Sequence, residues 1–130
     1  KMKYAFILPL IFPMFSYGAD VCHNITTSEQ VFLCSKNKRE KADKYLNEQY
    51  LLLLSKINSV YVNDDLLKQE FFNKTKMAQR AWLKFRDANC EIYSFQIDSK
   101  TQAYQTSLNE CITKMSESRG RELSEISNSI

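Results

Sequence analysis

Two stretches of the sequence place carboxylate, amide, phenol and guanidinium groups three or four residues apart, so that each set shares one helix face. The first set is Asp43, Leu46, Asn47 and Tyr50; the second is Gln79, Trp82, Arg86 and Cys90, with Asp87 beside Arg86. A guanidinium group binds a carboxylate in a planar, two-pronged arrangement. We therefore expect the two sets to interlock across a helix pair. The network either fixes helix register or forms a site for a ligand or partner.

Catalytic arrangements are not evident in the sequence. The one histidine, His23, lies next to a cysteine, and a nucleophile would need both a base and a group that orients it. Gly-rich phosphate loops and the H-E-x-x-H and G-x-S-x-G motifs are missing, and Asp64 and Asp65 are explained as a helix cap. The sequence thus indicates a protein that is not an enzyme and that uses no metal and no cofactor.

The N-terminal stretch has the layout of a secretory signal peptide. Lys1 and Lys3 precede an apolar run over residues 4–15, and small residues follow at 16–19. The run is too short to cross a membrane, and Pro9 and Pro13 interrupt it. We predict a cleaved signal over residues 1–19 and a single domain over 20–130. The mature chain would lie in the periplasm or be secreted, without membrane insertion.

Charge and cysteine content narrow the class of protein further. Loss of Lys1 and Lys3 lowers the formal net charge of +3 by two, to +1, which gives no long-range field for nucleic acid or anionic lipid. All four cysteines fall in the predicted mature chain, where an oxidising compartment favours disulfides. Zinc is the competing interpretation, but no C-x-x-C pair is present.

The sparse Gly and Pro content favours long helices over strands and turns. Beyond the predicted signal, Gly120 is the remaining Gly and Pro is absent. We predict an all-α fold, an antiparallel three-helix bundle, in which Thr26 and Glu29 form the first capping box. The three apolar stripes are Val31, Cys34, Ala42, Tyr45, Leu46, Tyr50, Leu53 and Ile57; Leu67, Phe71, Ala78, Ala81, Trp82, Phe85, Asn89 and Ile92; and Tyr104, Leu108, Cys111, Ile112, Met115, Leu123 and Ile126.

The hairpin between the second and third helices favours one disulfide pairing. Four cysteines allow three pairings. Cys90 and Cys111 lie nearly symmetrically about the turn at residues 99–100, so antiparallel helices bring them side by side. Cys22 would then pair with Cys34 and fasten the N-terminal segment to the first helix.

The same residues carry a family resemblance. Residues 41–50, KADKYLNEQY, resemble the A-D-x-x-L-N-x-x-Y signature of the LprI-like lysozyme-inhibitor family. Residues 78–90, AQRAWLKFRDANC, resemble its second signature, Q-R-x-W-x-x-F-R-D-x-x-C, and Cys111, Arg119 and Leu123 match its C-terminal pattern. The resemblance implies a disulfide-stapled helical domain of bacterial periplasmic or secreted type, over roughly residues 22–123.

The resemblance also implies a protein partner, namely a lysozyme or a related cell-wall hydrolase that the domain inhibits. Two alternatives stay open: an immunity protein that neutralises a toxin delivered to the periplasm, and an envelope protein of another role. Loops on a rigid scaffold commonly carry recognition, which makes Tyr61 and Ile97 candidate partner-facing residues. The four leucines at residues 51–54 cannot all be buried on one face, so the chain is expected to be a monomer or a weak dimer.

Overall fold

The computed structural model describes residues 20–130, and the predicted signal peptide lies outside them. Three helices make up this part of the chain: α1 over Ser28–Val60, α2 over Asp65–Tyr93 and α3 over Gln102–Ser129. No strand occurs within residues 20–130, so the predicted all-α fold is confirmed. Both predicted disulfides, Cys22–Cys34 and Cys90–Cys111, are formed.

Polar caps set the start of each helix. Thr27, one residue later than predicted, caps α1, and Gln30 rather than Glu29 completes the capping box with the Thr27 backbone. Asp64 accepts a hydrogen bond from the Leu67 backbone amide, and Thr101 does the same for Tyr104. These caps satisfy amides that have no partner inside their helix.

The two short connections make α2 antiparallel to both of its neighbours, and α1 and α3 therefore run in the same direction. This parallel pair packs along most of its length, whereas α2 meets each partner at fewer points. The main cluster of buried apolar residues comprises Leu46, Leu53, Ile57 and Leu123. The hydrophobic core is thus mainly an α1–α3 interface.

Gly120 allows α1 and α3 to approach closely at the middle of the bundle. A Cβ atom at this position would clash with the aromatic ring of Tyr45. The missing side chain therefore makes room for the ring, and α3 continues through Gly120 to Ser129 without a break. Glycine weakens a helix in isolation, so here the tertiary contact overrides the local preference.

The apolar stripe predicted for α2 is confirmed at Phe71 and Trp82, which are half-buried against the core, and is wrong at most of its other positions. Ala78, Ala81, Phe85 and Ile92 are exposed, and the buried residues of α2 are Gln79, Arg86 and Cys90. The disulfide fixes which side of α2 faces α3, and Arg86 lies one turn away from Cys90 on that same side. Polar and sulfur contacts, rather than the apolar stripe, set the rotation of α2.

Candidate functional site

The signature residues of α1 and α2 meet at an open groove between the two helices, with a volume of about 520 Å³. Its lining residues are Asp43, Leu46, Asn47, Tyr50, Lys76, Gln79, Arg80, Leu83 and Arg86. Most of the residues singled out from the sequence therefore lie on one surface feature. Trp82, Asp87 and Arg119 lie behind or beside the groove and do not line it.

Arg86 joins all three helices beneath the groove. Its side chain is 9% exposed, and Nη1 donates to Asp43 Oδ1 of α1 at 3.1 Å and to Ser116 Oγ of α3 at 3.2 Å. Nε donates to Asp87 Oδ1 at 2.9 Å, and Nη2 lies at the same distance from that oxygen. A buried guanidinium with charged and neutral acceptors on three sides holds its position tightly.

Arg119 is a second buried arginine, and it also lies near the Trp82 ring. The guanidinium carbons of Arg86 and Arg119 lie 5.7 Å and 5.8 Å from the ring centroid, within cation–π range. Arg119 Nε donates to Gln79 Oε1 at 3.1 Å, and Nη1 lies 3.0 Å from Glu122 Oε1. Within residues 20–130, no buried side-chain polar atom is left without a hydrogen-bond partner.

A further polar network, not identified from the sequence, lies near the Cys22–Cys34 end of the α1–α3 interface. Asn109 Nδ2 donates to Ser35 Oγ at 3.2 Å, and Arg39 Nη1 donates to Asn109 Oδ1 at 3.1 Å. Asn109 and Ser116 are buried on the face of α3 that also carries Ile112 and Leu123, where apolar residues are usual. Polar side chains at such stripe positions were the signal that could have revealed both networks.

Two cations at the groove remain available to a partner. Lys76 and Arg80 are exposed, and neither makes an ion pair in the part of the chain that the structure describes. Asp43, in contrast, is engaged by Arg86 and lies 3.9 Å from Arg39 Nε. The free charge of the groove is therefore positive.

The two loop residues predicted to face a partner, Tyr61 and Ile97, are less exposed than expected. Tyr61 is half-buried, packs against the hydrophobic core and lies 5.8 Å from the Phe71 ring centroid. Ile97 is also half-buried, within the turn between α2 and α3. The exposed connector residue next to Tyr61 is Val62, at 59%. A role for Tyr61 or Ile97 in partner binding stays a prediction.

Among residues 20–130, no group of His, Cys, Asp or Glu side chains has the arrangement to hold a metal ion. None of the three helices combines the length and apolar character needed to span a bilayer.

Fold and site together define a disulfide-stapled three-helix domain with a polar groove between α1 and α2. The family described as "Lysozyme inhibitor LprI" matches residues 22–123, and the chain belongs to that family. A solved structure of a DUF1311 family protein from Pseudomonas putida KT2440 shares the fold, with a TM-score of 0.72 and 23% identity. The match covers 80% of this chain and 97% of that chain. Among curated proteins, none matches.

Proposed function

We propose that this protein is a periplasmic or secreted inhibitor that binds a lysozyme or a related cell-wall hydrolase in a stoichiometric complex and catalyses no reaction itself. Membership of the inhibitor family over residues 22–123 is the observation that carries the proposal. The two disulfides support an oxidising location. A proteinaceous inhibitor needs a rigid, complementary surface rather than reactive groups, and this chain offers such a surface at the groove.

The groove is the part of the surface best suited to hold a partner segment. Its floor is fixed by Arg86, so little side-chain entropy is lost when a partner binds. Asn47, Lys76 and Arg80 provide exposed hydrogen-bond donors at its edges. A protruding segment that carries a carboxylate fits this arrangement, because the free charge of the groove is positive.

Titration against lysozymes of several types tests the activity directly. The exported, oxidised protein is added to a hydrolase that clears a cell-wall suspension, and we expect activity to fall linearly to an equivalence point. Asn47→Trp fills the groove with an indole and should raise the inhibition constant at least about tenfold, since shape complementarity carries much of such an interface. Asn58→Trp is the matched control, because Asn58 is an exposed residue of the same helix outside the groove.

The possible results separate the parts of the proposal. No inhibition at tens of micromolar by correctly folded protein would overturn the hydrolase target. Inhibition that Asn47→Trp and Asn58→Trp leave equally intact would keep the target and exclude the groove. Capture of a toxin from the periplasm, with relief of its toxicity by co-expression, would replace the hydrolase interpretation with the immunity alternative.

A further inference from the structure

The outward face of α2 carries a continuous apolar stripe that this chain does not cover. Met77, Phe85 and Ile92 are 71%, 60% and 72% exposed, and Ala81 and Ala88 lie exposed between them. Intervals of three and four residues place all five side chains on one helix face. That face points away from the buried side chains of Gln79, Arg86 and Cys90.

The outward stripe is long enough to receive another helix. From Met77 to Ile92 it extends about 22 Å at 1.5 Å per residue. Beyond the end of α2, Phe95 is 84% exposed and borders the same surface hollow as Ile92. Monomeric soluble domains rarely expose contiguous apolar surface of this kind, which is typical of interaction sites.

The size pattern of the outward stripe is complementary to itself in the antiparallel direction. Consider a two-fold axis that runs between two copies of α2, perpendicular to both helices, at the level between Arg86 and Asp87. This axis would place Phe85 opposite Ala88 of the second copy. The same axis would place Ile92 opposite Ala81 of the second copy. Large side chains then face small ones at every central layer, which allows close packing of two helices.

The charges beside the outward stripe are complementary under the same symmetry. Lys84 and Glu91 are exposed on one flank, and neither forms an ion pair within residues 20–130. A two-fold axis across an antiparallel helix pair keeps equivalent flanks on the same side. Glu91 of the second copy would therefore lie beside Lys84, as charged flanking residues do in helix pairs.

We propose that a second copy of this chain binds the outward face of α2, forming an antiparallel, two-fold symmetric α2–α2 dimer. A contact that is one helix wide is small beside the roughly 1,200 Å² of standard stable interfaces, so we expect a weak dimer. It leaves Gln79 and Leu83 on the opposite side of α2, and both grooves stay open to a partner. The proposal is independent of which hydrolase the groove binds.

A charge-swap experiment tests the predicted symmetry. Sedimentation of the exported protein from about 1 µM to 1 mM should show a concentration-dependent dimer. Lys84→Glu and Glu91→Lys should each raise the dimer dissociation constant about tenfold, because each variant sets like charges against one another twice per dimer. An equimolar mixture of the two variants should form a heterodimer close to wild-type strength. In that heterodimer the two introduced residues face each other at one contact, and the native Lys84 and Glu91 face each other at the other, so both contacts pair opposite charges.

An apolar variant tests the stripe itself. Ile92→Glu should raise the dissociation constant at least about a hundredfold, because it buries two unpaired carboxylates in the symmetric contact. Leu52→Glu is the matched control, since Leu52 is 57% exposed and lies on α1 next to the exposed Leu51, away from the outward stripe. Both sites are exposed, so circular dichroism should show unchanged helix content.

Three results would overturn the proposal. One is a strict monomer up to about 1 mM, the upper end of the range in which a weak dimer is detectable. Another is a dimer that Leu52→Glu disrupts and Ile92→Glu leaves intact. The third is a monomer whose hydrolase inhibition is lost in Ile92→Glu, which would make the outward face of α2 the hydrolase-binding surface instead.

Discussion

The α1–α3 pair and the attachment of α2 are built from different chemistry. The α1–α3 interface buries Leu53, Ile57 and Leu123 almost completely. The buried residues of α2 are instead Gln79, Arg86 and Cys90. The α1–α3 interface resembles an ordinary protein core except for the Asn109 network at one end. The attachment of α2 consists of a guanidinium network and a disulfide, with partly buried apolar residues beside them.

The two interfaces therefore contribute differently, one mainly to the stability of the domain and the other mainly to its geometry. Apolar burial contributes most of the folding free energy but tolerates small rotations and shifts of a helix. The hydrogen bonds of Arg86 do not tolerate such rotations and shifts, because the guanidinium group must reach several acceptors on three helices at once. We infer that α1 and α3 stabilise the domain, whereas the polar attachment of α2 fixes the shape of the groove.

The largest effect on the free energy of unfolding is expected at the α1–α3 interface. Leu53→Ala removes a side chain that is 1% exposed and should lower the free energy of unfolding by about 3–4 kcal/mol, through lost burial and a residual cavity. The neighbouring Leu52→Ala is the control: at 57% exposure it should change stability by less than about 1 kcal/mol. Urea denaturation measures both. Equal losses at the two positions would mean that α1 is rotated from its described orientation.

The next effect concerns the disulfide that attaches α2. Replacing Cys90 and Cys111 together by Ala should remove about 3 kcal/mol in the chain-entropy treatment. Amide hydrogen exchange should then accelerate mainly at the C-terminal end of α2. The matched double replacement of Cys22 and Cys34 should cost a similar amount but leave exchange in α2 unchanged. Uniform acceleration in both variants would contradict a separately attached α2.

Arg86→Ala should destabilise the protein less than the loss of the Cys90–Cys111 disulfide does. It should change the shape of the groove more. We expect a loss of about 2 kcal/mol, because several hydrogen bonds go while Asp43 and Asp87 can still reach water. The single tryptophan, Trp82, should report the change through a fluorescence shift. The exposed Arg121→Ala serves as the control. Unchanged fluorescence and unchanged hydrolase inhibition in Arg86→Ala would remove the geometric role assigned to the network.

The sequence predicted the fold and much of the groove, and the reasons are local. Helix caps, the scarcity of Gly and Pro, and the symmetric placement of Cys90 and Cys111 about a turn all act over short distances. The helical spacing of the signature residues likewise indicated shared faces. What the spacing could not show is which face of α2 turns inward, because a polar network competed with an apolar stripe for that position.

The rotation of α2 depended on residues far away in the sequence. Ser116 accepts a hydrogen bond from Arg86, and Gln79 accepts one from Arg119, so α3 supplies part of the network. The role of Gly120 could likewise not be predicted, because it depends on the Tyr45 ring of another helix, which packs where a side chain would lie. Periodicity ranks faces by hydrophobicity, and it fails where buried polar groups find complete sets of partners.

The smallest effect on the free energy of unfolding is expected on the outward face of α2. Phe85→Ser removes an aromatic residue that is 60% exposed, and at protein concentrations low enough to give monomers it should change the free energy of unfolding by less than about 1 kcal/mol. An aromatic residue buried in a core would cost about 3–5 kcal/mol on truncation. Urea denaturation at about 1 µM and at about 1 mM protein makes the distinction, because dimerisation stabilises the wild type only at the higher concentration. A large loss for Phe85→Ser at the lower concentration would place the stripe in the core and abolish the contrast between the two interfaces.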